Sequence, residues 1–203
     1  MSPFSEEEVL NLFKNINSNS SPGLDDVSPK LLKQVKLSII NIITHLINSS
    51  LLSGTFPSCF KKTVVSPIFK KGDTSNTVNY RPISLTSSIG KILEYAMKER
   101  ITSFIAKFNI ISNKQHGFRQ KQSTTTATKE IYENILLSLE RKLGIRGIFC
   151  DLSSAFDCVD HDILLQKLDW AGIRSTTLKW FKSYLSNRTQ VVRIPTWCSN
   201  IKQ

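Results

Sequence analysis

Four aspartates, Asp151, Asp157, Asp160 and Asp162, fall within the stretch GIFCDLSSAFDCVDHD (147–162) of a 203-residue chain whose formal net charge is +11. Carboxylates can hold a hard cation, exchange a proton or cap a helix, and their surroundings decide which. The run IRGIFCD (145–151) is apolar with little polar alternation, the pattern of a strand buried on both faces. A side chain at the end of such a strand is held rigidly at the mouth of a cleft. A rigid carboxylate there can bind Mg²⁺, which takes one or two protein carboxylates together with substrate phosphate oxygens. Taken alone, an Asp after a strand is more often the cap of the following turn. Asp157, Asp160 and Asp162 suit capping better, since Asp160 or His161 stands just ahead of a helix expected from Ile163.

The charge balance says what such a cation would face. Lys and Arg outnumber Asp and Glu by 27 to 16, with a pI near 9.6, so the summed field favours a polyanion, nucleic acid first, over an acidic or neutral partner. The excess is uneven. From Lys61 to Lys121 there are twelve Lys or Arg against three acids, Asp73, Glu94 and Glu99. A metal-holding acid among lysines that attract a phosphate backbone is chemically coherent, although for any single lysine solubility is the simpler account. Cys59, Cys150, Cys158 and Cys198 lie far apart with no C-x-x-C and no paired His, which argues against a disulfide scaffold or a zinc site. No basic-then-apolar leader opens the sequence, and LSIINIITHLINSSLL is interrupted by Asn41, His45 and Asn48, so it reads as a buried helix. The expectation is an intracellular protein of nucleus and cytoplasm with no membrane partner.

The elements that must position these residues follow from local pattern. Ser5 and Glu8 form a capping box ahead of a short helix reaching about Asn15. Ser28 and Pro29 start a long helix ending near Ser49. KKTVVSPIFKKGD reads as a strand, edge-placed because of Pro67, with a basic turn at its tip. Helices are expected at GKILEYAMKERITSFIAKF, at STTTATKEIYENILLSLERK, at HDILLQKLDWAG and at STTLKWFKSYLS, followed by a strand at RTQVVRI. The length suits one core, or two subdomains sharing a cleft.

FCDLSSAFDCVDHDILLQKL resembles the first catalytic motif of reverse transcriptases from non-LTR (LINE-type) retrotransposons, and it does not stand alone. SPGLDDVSPKLLK (21–33), VVSPIFKKGD (64–73), NYRPISLTSSIGKILE (79–94), QHGFRQKQSTTTA (115–127) and LKWFKSYLSNRTQVV (178–192) resemble successive blocks of that family, in order. Chance matches of this kind multiply, so the ordered set is specific where one acidic motif is weak. The resemblance implies an α+β chain with a right-hand polymerase fold, helix-rich with a small incomplete antiparallel sheet. Residues 1–140 would be fingers-like and include the start of the palm, and 141–203 would be a partial palm. It implies an RNA-directed DNA polymerase that adds deoxynucleotides (dNTP) to a DNA primer 3′-end along an RNA template, using Mg²⁺ or Mn²⁺.

By the same resemblance Asp151 is the first catalytic, metal-binding aspartate, and Phe156 the aromatic gate that fills the space of a ribose 2′-OH. Without the motif, Phe156 reads as a core aromatic. Arg81 resembles the arginine that grips the incoming triphosphate, a task suited to a planar fork of donors, with Lys70 and Lys71 beside it; by itself Arg81 is a surface arginine. Gln115, Gly117 and Arg119 match the family block position by position and, with Lys121, are candidates for nucleic-acid contact. Gly117 is expected to supply an unusual backbone angle and Arg119 to meet phosphate; equally, the loop is simply tied to a Ser123 helix cap. Pro22 and Gly23 shape a turn in which Asp25 and Asp26 cap rather than bind metal.

Paired-metal phosphoryl transfer needs carboxylates on both sides of the ions, and the family takes the others from a Tyr/Phe-x-Asp-Asp hairpin. No Asp or Glu follows Asp169, while six Lys or Arg do. The Pro-Gln-Gly block is absent too, and IPTWCSNIKQ departs from the pattern. The expectation is therefore a truncated copy, inactive alone, with apolar surface around Ile148 and Val191 uncovered. The alternative is a catalytically dead remnant acting only as a basic nucleic-acid-binding domain. An aspartate-nucleophile phosphatase would ask for an Asp at 153, which is Ser, and a purely helical scaffold would leave the ordered blocks unexplained.

Overall fold

The computed structural model describes residues 1–152 and 155–193. Ser153 and Ser154, and the tail 194–203 with Cys198, lie outside the described residues. The chain forms two compact units, Met1–Ile101 with His161–Gln203, and Thr102–Asp160.

In the first unit, Ser5 and Glu8 make the expected capping box, which starts helix α1 (Glu6–Leu12), continued by a 3-10 turn at Phe13–Asn15. Two clasps hold this terminus. Asn48 accepts from the Phe4 N–H at 2.7 Å and donates back to the Phe4 carbonyl at 3.0 Å. Arg100 donates to both oxygens of Glu8, at 2.9 and 3.1 Å, with its guanidinium 3.8 Å from the Phe4 ring centre. That guanidinium holds the Glu8 carboxyl below the usual range.

The expected single helix after Ser28 is two, α2 (Pro29–Gln34) and α3 (Lys36–Ser53), separated by Val35 at φ −91°, ψ 4°. Helix α3 runs a turn past Ser49 and stops where Gly54 takes the left-handed conformation, φ +64°. Its Ile40, Ile43 and Ile47 share one buried cluster with Ile92, Leu93, Ala96 and Met97 of α4 (Ser88–Lys107), which keep helical spacing, and with Trp180 of α7 (Ser175–Leu185). Helix α6 (His161–Trp170) begins directly after Asp160, as expected of a capping position, and packs on α7.

Strands β1 (Lys62–Phe69), β2 (Tyr80–Leu85) and β3 (Thr189–Val192) form one sheet in the order β2-β1-β3. The sheet is mixed, not purely antiparallel: β1 pairs antiparallel with β2 and parallel with β3. Strand β1 is central, correcting the edge placement read from Pro67. Pro67 is tolerated because β3 pairs only with Lys62–Val65, and because Pro67 faces Pro82. The Lys70 N–H bonds the Asn79 carbonyl, so by alternation along the ladder Pro67 and Pro82 occupy a non-hydrogen-bonded pair, where no ladder N–H is required.

Glu94, on α4, is half-buried and faces α7. It accepts from the Tyr184 hydroxyl at 3.1 Å, with Arg188 and Lys91 the cations acting on it. Burial raises its carboxyl above the usual range, and raises Tyr184 to about 12. A folded-state value above the unfolded one gives a stability contribution that is complete below the unfolded value and is lost as pH rises through the folded one. Glu94→Gln is therefore expected to flatten the fall of thermal midpoint with rising pH across that window, read as the difference from wild type. A parallel pH profile would remove Glu94 as the cause.

In the second unit, Ser123 caps α5 (Thr124–Glu140) in a reciprocal box with Thr126. None of the described residues from Thr102 to Asp160 is fully buried. The strand expected at 145–151 is not formed. Residues 144–152 have no regular structure, and Ile148 is 90% exposed. An apolar run becomes a buried strand only where neighbouring strands take its N–H and C=O groups and layers cover its faces; all three described strands belong to the first unit's sheet. The uncovered surface expected at Ile148 and Val191 is present. Cys59, Cys150 and Cys158 are free and exposed. No helix among the described residues is long and apolar enough to cross a membrane.

Candidate functional site

Lys70, Lys71 and Arg81 are brought together on the β1–β2 hairpin. Arg81 pairs with Ile68. Paired residues share a face and faces alternate along a strand, so Lys70, two residues beyond Ile68 and backbone-bonded to Asn79, falls on the face of Arg81, and Lys71 begins the turn. All three side chains are exposed. The loop beneath them is internally braced. Asp73 accepts from the Ser75 N–H at 2.9 Å, Asn79 donates to the Asp73 carbonyl at 2.8 Å, and the Tyr80 hydroxyl donates to the Thr74 carbonyl at 2.9 Å. The Ser75 amide holds the Asp73 carboxyl below the usual range.

The SPGLDD segment reaches the far end of this hairpin. A Cβ on Gly23 would stand 2.7 Å from the backbone of Thr86 and Ser87, just after β2, and the Ser88 hydroxyl donates to the Val27 carbonyl at 3.0 Å. Gly23 therefore serves close approach rather than turn geometry alone. Asp25 accepts from the Val27 N–H, the capping role expected of it.

In the second unit, Gln115, Arg119 and Lys121 lie in one loop whose bonds are mostly its own. Gln115 donates to the Gly117 carbonyl at 3.3 Å and Arg119 to the Ser112 carbonyl at 2.9 Å. The unusual backbone angle expected at Gly117 is found instead at Phe118 (φ +57°) and Lys121 (φ +63°). The residue that sequence reasoning passed over is His116. One ring nitrogen lies 2.9 Å from Glu130, and the other 2.9 Å from both Gln122 and Thr126, fastening the loop to α5. Lys114 also pairs with Glu130. A single His ahead of a helix carries no periodic signal, so nothing in the spacing marked it.

Asp151 is exposed on the irregular 144–152 segment rather than seated at a strand end, which removes the rigid placement expected of it. Phe156 is 77% exposed, which excludes the core-aromatic reading. Its ring meets Phe118 edge to face, centroids 5.8 Å apart at 82°. Among the described residues no three His, Cys, Asp or Glu side chains come together. Mg²⁺ is octahedral, and a paired-ion site asks for carboxylates from two sides. The donors of the described residues do not fit such a site.

Residues 68–200 match the family model described as "Reverse transcriptase (RNA-dependent DNA polymerase)". The chain is 30% identical over 199 residues to the "Probable RNA-directed DNA polymerase from transposon BS" of Drosophila melanogaster, spanning 95% of this chain and 21% of that protein. It is 31% identical over 197 residues to the "RNA-directed DNA polymerase from mobile element jockey" of the same organism, spanning 97% and 21%. With the "Retrovirus-related Pol polyprotein from type-1 retrotransposable element R2" of Popillia japonica it shares 23% identity over 192 residues, spanning 95% and 26%. The chain thus spans about a fifth to a quarter of the length of these relatives. Hairpin, glycine contact and histidine-anchored loop are parts of a chain that belongs to the reverse transcriptase family, as a domain of the non-LTR retrotransposon kind.

Proposed function

We propose that the chain is the fingers and partial palm of an RNA-directed DNA polymerase with the right-hand fold, 1–140 fingers-like and 141–203 palm. Its substrates are an RNA template, a DNA primer and dNTP. The observation that carries this reading is the β1–β2 hairpin, where Lys70 and Arg81 share one exposed face beside Lys71. A guanidinium fork flanked by ammonium groups suits the oxygens of a triphosphate. Phe156 selects against a 2′-OH, while Arg119, Gln115 and Lys121 meet the nucleic-acid backbone. Arg119 must leave the Ser112 carbonyl to do so. Asp151 is one carboxylate of a divalent-ion site whose other donors the described residues do not bring together.

A second reading, a basic nucleic-acid-binding domain without catalysis, draws support from the net charge of +11 and from Asp151 lying outside any strand. Three measurements test the pair. Primer extension on an RNA template with Mg²⁺ is expected to give no product from the 203-residue chain or from Asp151→Ala; extension by the unsubstituted chain would overturn the reading that Asp151 lacks its partner carboxylates. Affinity for a primer–template hybrid is expected to fall linearly with salt on logarithmic axes. The double variant Arg119→Ala, Lys121→Ala should lower that slope by about one to two, roughly one per phosphate contact, while the triple variant Lys70→Ala, Lys71→Ala, Arg81→Ala should instead weaken dNTP binding to the hybrid-bound chain. A salt-independent affinity sinks both readings, and dNTP binding unchanged in the triple variant removes the hairpin from the triphosphate site.

A further inference from the structure

We propose that Phe118 is a positioning residue for the Phe156 ring, and through it for the choice between deoxy- and ribonucleotides; this rests on the reading of Phe156 given above. The backbone of Phe118 is left-handed, φ +57°, a conformation that bulky side chains rarely adopt. The neighbouring Gly117 could adopt it freely, has open space around its missing Cβ, and does not. Burial does not explain the choice, because Phe118 is 94% exposed. A strained, solvent-facing phenyl ring is neither a core residue nor a favourable turn residue, and strain of this kind concentrates where a side chain must be aimed.

The loop supplies the hold that keeps it there. His116 is fixed between Glu130 on one side and Gln122 and Thr126 on the other, and Arg119 is tied to the Ser112 carbonyl. Both flanks of Phe118 are thereby anchored. Its ring meets Phe156 in an edge-to-face pair, the preferred aromatic geometry. Phe156 itself sits in a turn, with no helix or strand to restrain it. A ring that swings freely excludes nothing, so steric discrimination against one hydroxyl needs the ring held. Phe118 is the only aromatic ring in contact with it among the described residues.

The test uses the 203-residue chain on a DNA-primer/RNA-template hybrid with template C, and measures competing dissociation constants for dGTP and GTP. Phe156→Ala is expected to bring their ratio to near one, and Phe118→Ala to cut it by about two- to tenfold, the size of one ring pair. Phe118→Ala should also shift the Phe156 ring resonances. The thermal midpoint of Phe118→Gly should stay within about 2 °C of wild type while the ratio still falls, since the relief of the left-handed backbone offsets the lost ring pair; a merely structural residue would lower the midpoint and leave the ratio unchanged. If Phe156→Ala removes the preference while Phe118→Ala keeps it, or if Phe118→Ala only weakens hybrid binding as a base-stacking residue would, the inference is overturned and the reading of Phe156 stands. If wild type shows no preference, or Phe156→Ala leaves it intact, the reading of Phe156 fails and takes the inference with it. The ring resonances then still report whether the contact exists.

Discussion

Replacing Trp180 by alanine is expected to lower the unfolding free energy of the first unit by about 3–5 kcal/mol, enough to unfold a marginal domain. Trp180 is 2% exposed. It stacks on Tyr184 at 5.3 Å and 7°, and meets Phe56 and Phe181 edge to face at 5.4 and 5.5 Å. Its indole N–H donates to the Ser50 hydroxyl at 2.9 Å, and that hydroxyl donates in turn to the Thr55 carbonyl. The side chain therefore joins α7 to the C-terminal turn of α3 by packing and by a polar chain at once. Alanine leaves a cavity that three rigid rings cannot collapse into, and also leaves Ser50 one donor short. Trp180→Phe separates the two effects, losing the hydrogen bond at about 1 kcal/mol together with part of the packing. Denaturant titration with an unchanged m-value is the measurement. A loss of less than about 1 kcal/mol for the alanine variant would mean that the four-ring cluster is not a centre of the fold.

What could be read along the chain beforehand divides by the range of the interaction. The Ser5–Glu8 and Ser123 caps were legible because a cap is settled within four residues, and both are present with their reciprocal bonds. The stripe Ile92, Leu93, Ala96 was legible because helical spacing survives any tertiary arrangement. The parallel pairing of β3 with β1 was not legible, since Thr189 and Lys62 are joined by backbone geometry that no local pattern encodes. Pro67 misled for the same reason: proline reports a missing donor, not whether a neighbouring strand stops short of it. The run 145–151 carried the composition of a buried strand, but burial is supplied by partners, and no described strand pairs with it.

The candidate site follows the same division. Asp151, Phe156 and Arg81 are singled out by six blocks occurring in order, and the family match bears out the recognition of the family. Their local settings were not identifiable. Lys70 sharing the face of Arg81 depends on hairpin register, and the approach of Gly23 to Thr86 depends on packing across some sixty residues of sequence. His116 escaped because its bonds to Glu130 and Thr126 are made possible by α5, whose Ser123 cap sets which side of the helix faces the loop.

Gly54 is where a local rule and a distant contact act on one atom, and Gly54→Ala is expected to cost about 2–4 kcal/mol. Two terms make up that figure. At φ +64° Gly54 ends α3 in the left-handed conformation, with its own N–H and that of Thr55 both donated to the Ser50 carbonyl; a Cβ there costs roughly 1 kcal/mol. The added methyl would also stand 2.7 Å from the Thr176 carbonyl oxygen and 3.0 Å from its side-chain methyl, and forcing apart packed backbone costs about 1–3 kcal/mol. Gly54→Asn distinguishes them, because asparagine tolerates the left-handed region yet carries the same Cβ. If conformation dominates, asparagine recovers most of the loss. If the approach of α7 dominates, both variants fall together, because the obstructing atom belongs to the backbone of Thr176 and no side-chain change removes it. Equal stability of wild type and Gly54→Ala would show that α7 can withdraw from α3 without loss. In that case Ser50, which bonds both the Trp180 indole and the Thr55 carbonyl, would not be the fixed joint between the two helices.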